Sequence, residues 1–367
     1  MKSFHIWDFP EDIYILLATE TKEKLFAHLY SKLSGRRPLA RILRLDPSTI
    51  KEYETGFSNR FGKKWIQYIP VKFFKQIKPH LTRNLVREIE KSVLAYRPRA
   101  GTPIVNPILP IKESPALYRI VGHVLGDGSA TKRHVPYYAN TCKELREEFI
   151  QDLQIFGDVR TSNRILTVPI VTFPKAVTRV LSYCLEVPFA IKESLPKNIF
   201  SAPQECKSAL LRALFDDEGS SSAQVTIAMI NKNIIEGIKT LFLEFGIKSG
   251  NILVHKNESG SNQYCLQVSS RSNEDFLNKI GFTHPKKQFN LVAQVAKRYR
   301  KKRTRSIQEI ETLILTYLKS VNHSRTMDIA NNIQLGLNHT LFHLKRMRKE
   351  SKVKSSIEEN KFFRWHV

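Results

Sequence analysis

Ile120-Val121-Gly122-His123-Val124-Leu125-Gly126-Asp127-Gly128-Ser129 and Leu211-Arg212-Ala213-Leu214-Phe215-Asp216-Asp217-Glu218-Gly219-Ser220 say nearly the same thing. Each is an apolar run with helical spacing and small residues on one face, closed by acid-Gly-Ser. The acids, Asp127 and Glu218, stand roughly ninety residues apart, the signature of an internal repeat. Around Gly122 and Gly126 the residues Leu117, Ile120, Val121, Val124 and Leu125 form an apolar face, and Ala209 and Ala213 supply small side chains one turn apart in the second stretch. Small residues at i and i+4 let two helices approach with their backbones nearly touching. Two such helices packed on each other bring Asp127 and Glu218 side by side at their C-terminal ends.

That is an unfavourable place for two carboxylates. A helix C-terminus carries partial negative charge, worth ~0.3–1 kcal/mol against each acid, and neighbouring carboxylates raise each other's pKa. A divalent cation with oxygen ligands removes both costs. Held over a phosphodiester, it polarises the ester and activates water. An acid that merely caps a turn before glycine is the simpler reading of either stretch, but it does not explain two at equivalent positions.

The rest of the chain agrees with a polyanionic partner. Its 367 residues carry 59 Lys and Arg against 34 Asp and Glu, a net charge of +25. An excess that large points to nucleic acid. No apolar run approaches the ~18 residues that span a bilayer, and Met1 to His5 open no signal peptide. A cytoplasmic, nucleoid-associated location is the expectation. Cys142, Cys184, Cys206 and Cys265 form no C-x-x-C pair and are expected as reduced core residues.

Residues 1–95 read as short helices in a helix-turn-helix-like domain, with Asp46-Pro47 as N-cap and first helical residue of one of them. Five prolines (Pro98, Pro103, Pro107, Pro110, Pro115) mark 96–115 as an extended linker. Residues 116–291 hold the duplicated core, in halves of about 116–200 and 201–291. Each motif is followed by strand, helix, further strand and helix, and the stops Phe156-Gly157 and Phe245-Gly246 keep nearly the same offset as the acids. Residues 292–305 form a basic linker. Residues 306–367 show the helix and hairpin spacing of a winged helix whose third helix carries Lys345, Arg346 and Arg348.

These stretches resemble the paired motifs of the LAGLIDADG homing-endonuclease family, over roughly Leu117 to Leu291. The resemblance implies an α+β fold, a monomeric pseudo-dimer of two αββαββα-type halves with the motif helices at the centre. Two antiparallel sheets would form a saddle over double-stranded DNA, with Mg²⁺ between Asp127 and Glu218 and no obligate protein partner. The implied activity is site-specific double-strand cleavage. The family's polar residue and lysine at the end of the strand match Asn231 and Lys232, which makes Lys232 a catalytic candidate. In the first half Asn140 matches, Thr141 stands where lysine would be, and Lys143 lies close by. Leu125 and Asp217 depart from the commonest letters at positions taken as tolerant. Lys132, Arg133, Lys248, Lys256, Gln263, Gln267 and Arg271 are further candidates for DNA contact, with Gln263, Cys265 and Gln267 on one side of a strand. Non-cleaving transcription regulators and RNA maturases built on the same fold are the alternatives. The chain is not expected to be an intein, because Met1 and His366-Val367 do not match splice-junction residues.

Overall fold

A computed structural model describes residues 2–58, 64–65, 67–131, 134–165, 167–256, 260–301, 306–333, 335–357 and 363–367. Contacts divide the chain into two units, Met1–Val295 and Ala296–Val367.

At the centre of the first unit lie two packed helices, Pro115–Leu125 and Gln204–Glu218. Pro115 occupies the first helical position, where its missing N–H costs nothing, and Ser114 caps the end by accepting from the Leu117 amide. Leu117, Ile120, Val121, Leu210, Leu211 and Leu214 are fully buried. The close approach depends on Gly122. A Cβ there would lie 2.6 Å from the Ala213 Cβ and 2.9 Å from the Leu210 carbonyl oxygen.

Each motif helix runs into an antiparallel four-stranded sheet, and the two sheets share one strand order. The first runs Gly128–Ser129, Tyr137–Ala139, Pro169–Thr172, Ser162–Ile165 across the sheet; the second runs Gly219–Ser220, Thr226–Met229, Asn262–Gln267, Leu253–Lys256. Helices Lys143–Leu153 and Lys175–Cys184 in the first half correspond to Lys232–Glu244 and Asn273–Lys279 in the second. The two Phe-Gly stops hold because Gly157 and Gly246 both take positive φ, 120° and 67°. The α+β class and the duplicated antiparallel halves are therefore present.

The N-terminal part departs from the expected string of helices. Ile13–Leu17 is a strand whose residues alternate between core and partial exposure, a period-two pattern hidden inside a continuous apolar run. It pairs with Val93–Pro98, which pairs in turn with Ile104–Val105. Ile111–Lys112 pairs with Ser3–Phe4. Residues 96–115 are thus extended but packed into the first unit, with Tyr96 fully buried. Pro98 ends its strand, and Pro103, Pro107 and Pro110 fall between strands, where no ladder N–H is needed. Helices Thr19–Leu33, Arg36–Leu43 and Pro47–Thr55 pack around Leu25, Leu29, Leu39 and Ile50, and Asp46 caps the third by accepting from the Ser48 amide.

The second unit has its own core of Ile310, Ile314, Leu318, Ile329, Leu344, Met347 and Trp365. Its order is helix Ile307–Val321, strand Ser324–Arg325, helices Thr326–Asn332 and Leu337–Lys349, then strands Lys354–Ile357 and Phe363–His366 in a three-stranded antiparallel sheet. All four cysteines are free, Cys206 buried and the others partly so. Among the described residues no helix is long and apolar enough to cross a membrane.

Candidate active site at the ends of the motif helices

Asp127 follows the first motif helix directly, and Glu218 is the last residue of the second. Packing these helices together brings the two acids within electrostatic reach. Burial, and then the neighbouring Asp217 charge, push the Asp127 carboxyl up to about 6. Burial, and then Asp127 itself, push Glu218 up to about 7. Both groups are thus held where ionisation is costly unless positive charge arrives.

Part of that positive charge comes from two lysines that the sequence reading missed. The Lys192 ammonium donates to the Gly126 carbonyl at 2.6 Å, at the end of the first motif helix. The Lys287 ammonium donates to the carbonyls of Phe215 at 3.2 Å, Asp216 at 2.5 Å and Asp217 at 3.3 Å, at the end of the second. Each lysine satisfies carbonyls left open by the last helical turn and opposes its negative pole. Burial lowers the pKa of both, and the surrounding carboxylates, Glu218 and Asp127 among them, partly offset this. They occupy similar places after the last helix of each half, the one signal that could have found them.

Asp217 is also more than a tolerant variation. Its side chain is fully buried, with Nδ1 of His123 at 3.0 Å across the helix interface. Tyr138 donates to its Oδ1 at 2.7 Å and the Asn140 amide at 3.1 Å. Burial alone would lower the pKa of His123, but the charge and hydrogen bond of Asp217 outweigh it and raise the pKa. Asn140 donates equally to Asp127, at 3.0 Å. Asp216 is buried as well and accepts the backbone amides of Thr283 and His284 at 3.0 and 2.9 Å. Burial raises its carboxyl to about 6 against those two donors.

The other expected site residues divide. Lys232 begins its helix pointing outward: its side chain is 57% exposed and pairs with Glu236 at 3.0 Å. Lys143 is likewise exposed and pairs with Glu147 at 3.5 Å. A residue on the first turn of an amphipathic helix faces the core only if its phase does, and neither of these does. Asn231 donates to the Lys192 carbonyl at 2.8 Å. Gln263 lines a cleft with Lys192, Glu218 and Asn231. Gln263, Cys265 and Gln267 alternate with the buried Leu266 and so share the face turned from the core. By register His255, opposite Gln263, belongs to that face, whereas Lys256, opposite Asn262, belongs to the other. In the first half the same reasoning puts Arg164 on the outward face, beside the buried Val171 position. Lys248 is exposed, and Arg271 is exposed in the turn Ser270–Ser272. Lys132 and Arg133 lie outside the described residues. In the second unit Lys345 is exposed, and Arg348 bonds the Ser355 hydroxyl at 3.1 Å. Arg346 pairs instead with the buried Glu311, which also holds Lys352 at 3.1 Å. A charge so engaged supports the unit's own core before any DNA.

The donor set fits a hard divalent cation of the Mg²⁺ type. Asp127 and Glu218 offer carboxylate oxygens of elevated pKa, and Glu218 has no hydrogen-bond partner among the described residues. No cluster of three or more candidate ligands occurs among the described residues. An ion held there would complete its shell with water and phosphate oxygens, as magnesium commonly does.

Residues 205–281, covering the second motif helix and its sheet, match the family described as LAGLIDADG-like domain. The match covers about a fifth of the chain and shows a LAGLIDADG-like domain over those residues. The DNA polymerase II large subunit of Thermococcus kodakarensis is 25% identical over 309 residues, 75% of this chain and 16% of that protein. The glutamine–fructose-6-phosphate aminotransferase of Methanocaldococcus jannaschii is 26% identical over 199 residues, 51% of this chain and 18% of that protein. The replicative helicase DnaB of a Nostoc species is 25% identical over 185 residues, 44% of this chain and 21% of that protein. The chain therefore spans about a fifth or less of each of these relatives. Among solved structures, the homing endonuclease I-DmoI in complex with DNA and Mn aligns with TM-score 0.33 and 16% identity, over 45% of this chain and 96% of that one. Full-length WhiA from Thermatoga maritima aligns with TM-score 0.35 and 10% identity, over 65% of this chain and 91% of that one.

Proposed function

We propose that the chain is a site-specific DNA endonuclease that hydrolyses both strands of a duplex with the help of Mg²⁺. The observation that carries this reading is the pair Asp127 and Glu218. Two carboxylates are kept at the negative ends of abutted helices, in an environment that disfavours their charge, and each helix end is capped by a half-buried lysine. A purely structural interface would be more stable with neutral residues there. A cation bound by the two acids would polarise the scissile phosphate and lower the pKa of the attacking water.

The remaining work falls to this chain's own side chains. Lys192 and Lys287 hold positive charge beside the acids, suited to balance the charge that builds on phosphate oxygens as water adds. Asn140 fixes the orientation of the Asp127 carboxylate. The outward faces of the two sheets, with Gln263, Gln267, His255 and Arg164, offer donors and acceptors to base edges, and surrounding lysines and arginines offer charge to phosphates. One chain carries both half-sites, so a monomer suffices. A DNA polymerase subunit, an aminotransferase and a helicase share no chemistry, yet each resembles this chain over a small part of its length. What they have in common with it reads as a separable segment, not as any of their activities.

The second unit favours one other reading, a regulator that binds DNA without cutting it. Its three helices and three-stranded sheet have the order of a winged helix, and Lys345 is free to reach phosphate beyond the ion pairs of Arg346. Cleavage decides between them. Duplexes selected from a random library by the native chain, then incubated with Mg²⁺, should be cut by the native protein. Asp127→Asn should reduce cutting by at least about a thousandfold while the Kd for the same duplex stays within about threefold. Undiminished cutting by both Asp127→Asn and Glu218→Gln would remove the assignment, and binding without cutting would leave the regulator.

A further inference from the structure

The two halves share a fold but not the wiring of their acids. Asn140 and Asn231 each stand thirteen residues after the motif acid of their half. Each is anchored alike, its side-chain oxygen accepting the backbone amide two residues on, from Cys142 at 2.9 Å and from Asn233 at 3.1 Å. Their amide groups then diverge. That of Asn140 donates to Asp127 at 3.0 Å and to Asp217 at 3.1 Å. That of Asn231 donates to the Lys192 carbonyl at 2.8 Å, and Glu218 has no hydrogen-bond partner among the described residues.

The divergence traces to one pair of equivalent motif positions. Asp217 precedes the acid of the second motif, and Gly126 precedes the acid of the first. Asp217 reaches across the interface into the first half, where His123 and Tyr138 hold it at 3.0 and 2.7 Å. Gly126 reaches nowhere, and a Cβ there would sit 2.8 Å from the Asp217 Cβ. The counterpart of His123 is Leu214, which is apolar and buried. So Asn140 is gripped from two sides, while Asn231 has no carboxylate to meet.

We propose that Asp217, held by His123 and Tyr138, is a positioning residue that aims Asn140 at Asp127 and makes the two strand cuts unequal. This rests on the nuclease reading above. The Asp127 carboxylate is preorganised by a bridge of fixed hydrogen bonds, whereas the longer Glu218 side chain must be ordered when substrate arrives. Preorganised groups cost no reorganisation in the reacting complex, so the strand whose phosphate depends most on Asp127 is cut first and a nicked duplex accumulates.

The test uses the full chain and a library-selected duplex with different fluorophores on its two strands, in Mg²⁺. The native protein should cut one strand about tenfold faster than the other, the effect of one well-placed hydrogen bond to a charged group. Asn140→Ala and the milder Tyr138→Phe should slow the fast strand and bring the two rates together. Asn231→Ala should leave the order of cutting intact. A loss of folded protein alone would lower both rates in proportion and leave their ratio unchanged, which would overturn the positioning role. Equal rates in the native protein would overturn the inference while leaving the nuclease intact. Absence of any cut would remove both.

Discussion

At the scale of single residues, the site is a set of charges kept in one another's company against their preference. Asp127 and Glu218 are raised to about 6 and about 7 from ordinary values of 3.8 and 4.5. An acid with a raised folded pKa binds protons more tightly when folded, so its contribution to stability is full below the unfolded pKa and is lost as pH rises through the folded one. For these two groups the window runs from about pH 4 to about pH 7. Without divalent metal, the thermal midpoint of the first unit should therefore fall as pH rises through that window, and the fall should be smaller in Asp127→Asn. Mg²⁺ at pH 7.5 should raise the midpoint of the native chain and not that of Asp127→Asn, because an ion bound only to the folded form stabilises it. A midpoint indifferent to Mg²⁺ in both proteins would count against a cation at these acids. Asp127 and Glu218 could be picked out from sequence because each motif is local. Lys192 and Lys287 were not, because each lies far along the chain, Lys287 in the first turn of helix Pro285–Lys301, and their partners are backbone carbonyls, which leave no mark in composition.

At the scale of elements, the interface of the motif helices is set by side chains that are missing. The added Cβ of Gly122→Ala would meet the Ala213 Cβ and the Leu210 carbonyl oxygen. Neither can rotate away, so the helices must part. Gly122→Ala should cost about 2–3 kcal/mol of unfolding free energy, read from the shift of the urea midpoint, and should reduce cleavage by moving the acids apart. An unchanged midpoint would mean the helices are not so tightly abutted. The helices themselves were legible because apolar residues recur at helical spacing around small ones in both motifs. The strand Ile13–Leu17 was not, since a short apolar run has no phase until a neighbouring strand supplies one. Sheet faces were legible only in part. Alternation grouped Gln263 with Gln267, but only pairing registers brought in His255 and turned Lys256 to the other side.

For the whole molecule the governing quantity is charge. At +25, DNA binding should weaken steeply with salt, with log Kd rising by several units per unit of log salt. Titration of one duplex at about 50, 100 and 200 mM salt measures that slope. A shallow slope would mean that the excess charge lies away from the bound DNA.

Sequence alone determined the duplication, the small-residue contact between motif helices and the meeting of Asp127 and Glu218 at the ends of those helices. Each of these is a property of neighbours in the chain, written by periodicity and spacing. It did not determine which lysines face those acids, why Asp217 is buried, or that residues 96–115 pack into a sheet. Those depend on groups brought together from distant segments. For residues 96–115 the deciding energy is strand pairing and apolar burial; for the lysines and Asp217 it is that of charge removed from water, whose sign and size are set only when surrounding protein replaces water.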